Sequence, residues 1–90
     1  MNLIIDICIV SKNNSRKLLR KEFTINSILP YKGLEIEDTA WKNPKEILNV
    51  TYNPTDDYVY INLEDDKISD EADINSHIEM YKLHSWKILN

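Results

Sequence analysis

The chain of 90 residues has one glycine, one cysteine, one phenylalanine and three prolines. Phosphate-cradling loops need several glycines so that backbone N–H groups can approach the ligand, so neither a P-loop nor a dinucleotide fingerprint fits. A lone Cys8 cannot close an internal disulfide. With only His77 and His84 beside it, the chain also lacks the four or so Cys and His ligands of a structural zinc site. No metal or cofactor is therefore expected. A long apolar run is missing too: LIIDICIV, the longest stretch of that kind, carries Asp6 and falls well short of a membrane span. It also lacks the basic approach of a signal peptide, so the expected setting is cytoplasmic. Nor is there an excess of positive charge. The net charge of −4 weighs against general nucleic-acid binding and against anionic membrane surfaces, both of which call for basic patches.

What is present is the makeup of one globular domain spanning residues 1–90. Hydrophobic content of 42% and charged content of 29% are ordinary for a folded protein. Such a short chain buries roughly 60–65% of its unfolded surface, enough for one core.

The first run, LIIDICIV, is β-branched and bounded by the polar cluster SKNNS, which reads as a strand. Leu3, Ile5, Ile7 and Ile9 fall on one face and Ile4, Asp6, Cys8 and Val10 on the other, a pattern of a central strand covered on both sides. RKLLRKEFTI alternates Leu19, Phe23 and Ile25 against Arg20, Glu22 and Thr24. It is expected to pair with the first strand through a hairpin near Asn13-Asn14, with a helix over 16–22 as the competing reading. A short strand around Leu34 and Ile36 follows the break Pro30-Tyr31-Lys32-Gly33, which reads as a bend between strands.

The clearest unit is EILNVTYNPTDDYVYINLED. Leu48, Val50 and Tyr52 alternate onto one face, answered by Val59, Ile61 and Leu63 across a turn at Asn53–Asp57. Ser69 or Asp70 can then cap a helix with Asp70, Glu71 and Asp73 in its first turn. Ile74, Ile78 and Tyr81 form its apolar stripe. Trp86–Leu89 closes the chain as a short strand, and a single strand over His77–Leu89 is the alternative. The expected fold is α+β: a mainly antiparallel sheet of four to five strands with one C-terminal helix packed on it.

Chemistry-bearing residues are sparse. Cys8 sits mid-strand in an apolar run, where a plain core cysteine is the simpler reading than a nucleophile. Asp6 must either face solvent or be buried with partners, in which case it serves as an acid or holds an arginine such as Arg16 or Arg20. The carboxylates from Glu64 to Asp73 lack the glycine and alternating ligands of a calcium loop. They read as a solvated loop, or more remotely as a mimic of nucleic acid. No nucleophile–base pair stands out, and an enzyme is not expected.

Two surfaces are left for binding. Tyr58 and Tyr60 alternate with Val59 and Ile61, so they face outward if those two face the core. Together with Tyr31 and Trp41 they are the candidate interface residues, of types enriched where proteins meet. The competing reading has the helix cover Tyr58 and Tyr60. Arg16, Lys17, Arg20 and Lys21 form a basic cluster that can hold an anion, since arginine grips phosphate without a glycine loop. Basic residues on an edge strand also deter stray pairing. The expected function is accordingly a non-enzymatic protein-binding module, homo-oligomeric, with an oligomeric binder of an anionic small molecule such as a nucleotide as the alternative.

The segment Leu29-Pro30-Tyr31 with Gly33-Leu34, followed by the hairpin, resembles small uncharacterised phage and bacterial β-rich proteins that carry an LP-aromatic-x-GL segment. IEMYKLHSWKIL similarly resembles a helix leading into a strand through a glycine-tryptophan step, with Ser85 where glycine is common. The resemblance implies a helix-then-strand ending and a mobile-element origin, in which a host defence component is the expected target. It implies no activity.

Overall fold

A computed structural model describes residues 1–26, 29–69 and 74–90. In chain order the elements are β1 (Asn2–Val10), β2 (Arg16–Thr24), β3 (Glu35–Ile36), β4 (Lys45–Asn53), β5 (Tyr58–Leu63), β6 (Asp66–Lys67), α1 (Ile74–Leu83) and β7 (Lys87–Ile88). The seven strands form one sheet in the order β3-β4-β5-β1-β2-β7, with β6 also against β1. The α+β class holds, but the sheet has seven strands and is mixed. β1 runs antiparallel to β2 and parallel to both β5 and β6. The unanticipated strand, β6, is a two-residue piece too short to show any alternation, and the parallel pairs join segments far apart in the chain, Asn2 to Tyr58 and Ile9 to Asp66, which no local turn announces.

The two hairpins form where the turn residues allow them. Asn14 takes a positive φ of 67° between β1 and β2, as its short polar side chain permits, and its N–H donates to the Ser11 carbonyl. Residues 16–22 are strand and not helix. Between β4 and β5, the Asn53 side chain accepts the Asp56 N–H while Asp57 takes the left-handed conformation. Gly33, at φ 93°, donates its N–H to the Ile47 carbonyl, so the break after Pro30 is a turn that starts β3.

One face of the sheet carries the core. Ile5, Ile7 and Ile9 from β1, Leu19 from β2, Ile47 from β4 and Val59, Ile61 and Leu63 from β5 cluster with Ile78 and Tyr81 of the helix and with Trp86. The apolar stripe of α1 is therefore what closes this face. The proposed capping by Ser69 or Asp70 and the acidic first turn of Asp70, Glu71 and Asp73 fall on or against residues 70–73, outside the described residues. The helix ends as it must for the chain to turn back to the sheet. Trp86 N–H donates to the Tyr81 carbonyl and Ser85 N–H to the Lys82 carbonyl, with Ser85 at φ 71°. This is the paired-bond ending that glycine usually occupies, here filled by serine at a steric cost of about 1 kcal/mol.

Two expectations need correcting. Among the described residues, no helix crosses the second face of β1, on which Ile4, Asp6 and Cys8 lie, hereafter the open face. The β4 alternation is also displaced. A register irregularity between Ile47 and Asn49 adds one residue to the strand, so Ile47 is buried while Leu48 is 39% exposed; Val50 and Tyr52 still pair with Ile61 and Val59. A bulge of this kind rotates everything before it by half a period, which the hydrophobic pattern alone did not show. Ile47→Ala is expected to cost about 2–5 kcal/mol as a cavity at a sealed site, and Leu48→Ala less than about 1 kcal/mol. Urea unfolding of both variants checks this; comparable losses would mean that Leu48 is the core residue after all.

Candidate functional site

Three regions gather polar chemistry. The first is the open face. The β1–β2 register sets Arg20 directly opposite Asp6, and the parallel β1–β5 register sets Tyr60 beside Ile4, one pleat away on the same face. The Asp6 carboxylate is 4% exposed. It receives Nε–H of Arg20 at 2.7 Å, the Nη2 group of Arg20 at 3.0 Å and the Tyr60 hydroxyl at 2.5 Å. The guanidinium also stands 5.6 Å from the Tyr60 ring centre. The bond to Asp6 holds the Arg20 pKa above its ordinary value, and burial together with the same carboxylate pushes the Tyr60 phenol up. With three donors converging on it, Asp6 fixes an arginine and a tyrosine in place instead of offering itself as an acid. Around them lie Tyr58, half-buried, and the exposed Leu18 and Leu89. Cys8 lies there as well, with Arg16 Nη1 3.6 Å from its sulfur.

The second region lies under the helix-side loops. Asp38 accepts Lys21 Nζ at 2.6 Å, Trp86 Nε1–H at 3.0 Å and the Ala40 N–H at 3.0 Å. Burial alone would raise the Asp38 pKa, but these donors outweigh it and lower the value from the usual 3.8. Next to it, Trp41 donates Nε1–H to the Tyr81 hydroxyl, and that hydroxyl donates to Asp66, which faces Lys45 at 3.5 Å. Trp86 packs edge-on to Tyr81 at 5.5 Å and beside Trp41 at 5.7 Å. Tyr81, with no exposed surface, has its pKa raised by burial first and Asp66 second. These groups tie the loop after β3, strand β2 and the chain end to one helix.

The third is a cleft of about 310 Å³ between α1 and the start of β4, lined by Trp41, Lys42, Lys45, Asp66, His77 and Met80.

The expected interface residues therefore separate. Tyr58 and Tyr60 share the open face, since the helix covers the side of Val59 and Ile61. Trp41 is on the helix side, bonded to Tyr81, and Tyr31 is exposed at the turn before β3. The basic cluster separates as well. Strand alternation sends Arg16 and Arg20 to the open face and Lys17 and Lys21 to the other. Arg20 is committed to Asp6, Lys21 to Asp38, and Arg16 reaches Asp65 at 3.8 Å. The acidic stretch is partly neutralised in turn, through Asp65 and Asp66. Asp38 and Lys45 were missed in the sequence; Tyr81 was read only as part of the apolar helix stripe, and Asp66 only as part of a solvated acidic loop. Among the described residues, no three His, Cys, Asp or Glu side chains gather as a metal group, and every buried side-chain nitrogen or oxygen has a partner. No described helix is long and apolar enough to cross a membrane.

Compared with protein-family models, with curated proteins and with solved structures, the chain matches none.

Two outcomes follow from this geometry. Arg20→Met leaves a buried carboxylate without its cation and is expected to cost about 3 kcal/mol, most of it recovered in the double variant Asp6→Leu with Arg20→Met. Urea midpoints decide it, and a single-variant loss below about 1 kcal/mol would count against the pairing. For Asp38, the folded pKa lies below the unfolded one, so the unfolded chain takes up the proton first on acidification. The stability this group contributes is present above the usual 3.8 and is lost as pH falls through the folded value. Asp38→Asn should therefore show a shallower loss of urea resistance than wild type between about pH 5 and pH 2. Parallel profiles would overturn the assignment.

Proposed function

We propose that the protein is a non-enzymatic binding module that meets a protein partner through the open face of its sheet. The observation that carries this reading is the Asp6–Arg20–Tyr60 set. A buried carboxylate holds an arginine and a tyrosine rigid on a sheet face that no described helix crosses. Arginine and tyrosine contribute most to interfaces when they are already ordered, because the entropy of fixing them is not charged to the encounter. Tyr58, Leu18 and Leu89 supply apolar area around that centre. The resemblance to phage and bacterial proteins favours a host protein as the partner. Arg20 and Tyr60 belong to the partner surface in this reading, in place of the wider set with Tyr31 and Trp41.

A second reading, an anionic small ligand, is favoured by the cleft at Trp41. There an indole lies with Lys42, Lys45 and His77, a better assembled set for a ring and an acidic group than Arg16, Lys17, Arg20 and Lys21.

The test compares partner recovery by wild type, by an open-face variant (Leu18→Ser with Tyr58→Ala) and by a helix-side variant (Leu83→Ser with Lys42→Ala), using cross-linking in host extract. Loss confined to the open-face variant is the expected result. Equal recovery by all three would refute the reading, and a melting temperature raised by nucleotides in wild type but not in the helix-side variant would replace it with the second.

A further inference from the structure

Strand β4 is an outer strand for most of its length. β3 pairs only with Lys45 and Glu46, and the last bonds on that side join Ile47 to Gly33 and Leu34. From Leu48 to Asn53, no described segment pairs with its outer side. Exposed edges are normally guarded by lysine, proline or an inward charge. The opposite edge follows that rule, with Arg16, Lys17, Arg20, Lys21 and Lys87 on β2 and β7. The open part of β4 reads Leu-Asn-Val-Thr-Tyr-Asn, with neither charge nor proline.

Its backbone is ready to pair. Ile47 turns its N–H and C=O outward, to Leu34 and Gly33. The extra residue after it shifts the alternation by one, so Val50 and Tyr52 turn theirs outward next. We infer that β4 pairs antiparallel with β4 of a second copy of this chain, about a two-fold axis through Thr51, making one continuous sheet of the two.

The occupant follows from what such an axis demands. It sets each residue opposite one whose number makes 102 with its own: Thr51 against Thr51, Val50 against Tyr52 of the second copy, and Asn49 against Asn53. Val50 and Tyr52 are the outward-turned residues, so the two Val50–Tyr52 pairs exchange backbone hydrogen bonds. Aromatic–β-branched and Thr–Thr pairs are the favourable cross-strand combinations. A charge near the axis would meet its own like, and this stretch carries none. Beyond the pairing, the β4–β5 turn of one copy runs up to the turn before β3 of the other. Asp56 is exposed on the first and Lys32 on the second, opposite charges brought together twice. Space is available there, since a Cβ built on Gly33 has no atom within 4 Å. Pairing would also cover Tyr52, 48% exposed as the chain stands alone. The edge is distinct from the open face, and pairing along it does not depend on the function proposed above.

Sedimentation equilibrium of the full chain over a wide concentration range, with amide hydrogen exchange on the same samples, tests it. The expected result is twice the 10.6 kDa chain mass, with Val50 and Tyr52 amides protected in the dimer and exchanging freely on dilution. Thr51→Lys, which sets two like charges at the axis, should give the monomer mass at concentrations where wild type is dimeric. Lys32→Glu should weaken the dimer, and adding Asp56→Lys should restore it. A wild-type chain that stays monomeric throughout, or a dimer whose Val50 and Tyr52 amides exchange freely, overturns the proposal, whether or not the variants fold.

Discussion

A carboxylate in the middle of a sheet must be neutralised where it stands, and Asp6 imposes that demand on both neighbours of β1. On one side it requires a cation directly opposite, which sets Arg20 and with it the whole nine-residue β1–β2 register. On the other it takes the Tyr60 hydroxyl, which fits only the β5 register in which Tyr60 lies beside Ile4. A slip of one residue between β1 and β2 would carry Arg20 to the opposite face and part the buried carboxylate from its guanidinium, whereas a slip of β5 would lose only the Tyr60 hydrogen bond. One polar side chain thus does for register what apolar alternation leaves loose, because β1 is apolar on both faces. The same bonds hold Arg20 and Tyr60 in place on the open face.

The opposite face solves a different problem. Helix α1 is ten residues long and alone would not hold to a sheet. Its anchors are Ile78 and Tyr81, and each polar atom that Tyr81 and Trp86 bring inside has a partner: Trp41 and Asp66 for the phenol, Asp38 for the indole. Those partners sit on the loop after β3 and on β6, segments with almost no ladder of their own. The aromatic cluster therefore ties short elements together through hydrogen bonds as well as area. Trp41, read from the sequence as a surface aromatic, is spent here. Tyrosine and tryptophan look alike in a sequence whether the polar tip meets water or a buried acid.

What could be read in advance was whatever rests on local chemistry. The β4–β5 hairpin was legible through its Asn-Pro-Thr-Asp-Asp turn, the first hairpin through Asn13-Asn14, and the helix through the spacing of Ile74, Ile78 and Tyr81. The rest depends on distance along the chain. Nothing in LIIDICIV or YVYINL states that these strands lie side by side and parallel. The choice of Arg20 over Arg16 for Asp6 follows from a three-residue turn and not from composition. The Leu48 bulge was hidden because Leu48, Val50 and Tyr52 alternate cleanly, which makes Leu48 look like the core residue and leaves Ile47 on the wrong side. The separation of Arg16 and Arg20 from Lys17 and Lys21 was available from period-2 counting, yet their closeness in sequence made them look like one cluster.

The location of charge then explains which surfaces remain to meet other molecules. Basic side chains on β2 are paired on both faces, Arg20 with Asp6 and Lys21 with Asp38. Acidic residues after β5 are partly consumed as well, by Arg16 and Lys45. Most of the strong electrostatics of this chain is thus directed inward, holding one-residue registers and short loops. What it leaves outside is a sheet face whose arginine and tyrosine are already fixed, and an edge with no charge at all. Among the described residues each lacks a different thing: the face lacks a covering layer, and the edge lacks a hydrogen-bonded neighbour. A layer is supplied by apolar and aromatic contact with another surface, whereas an edge is completed only by a strand in register. In the two proposals made above, the surfaces would therefore select partners by different rules, and occupation of one would not use up the other.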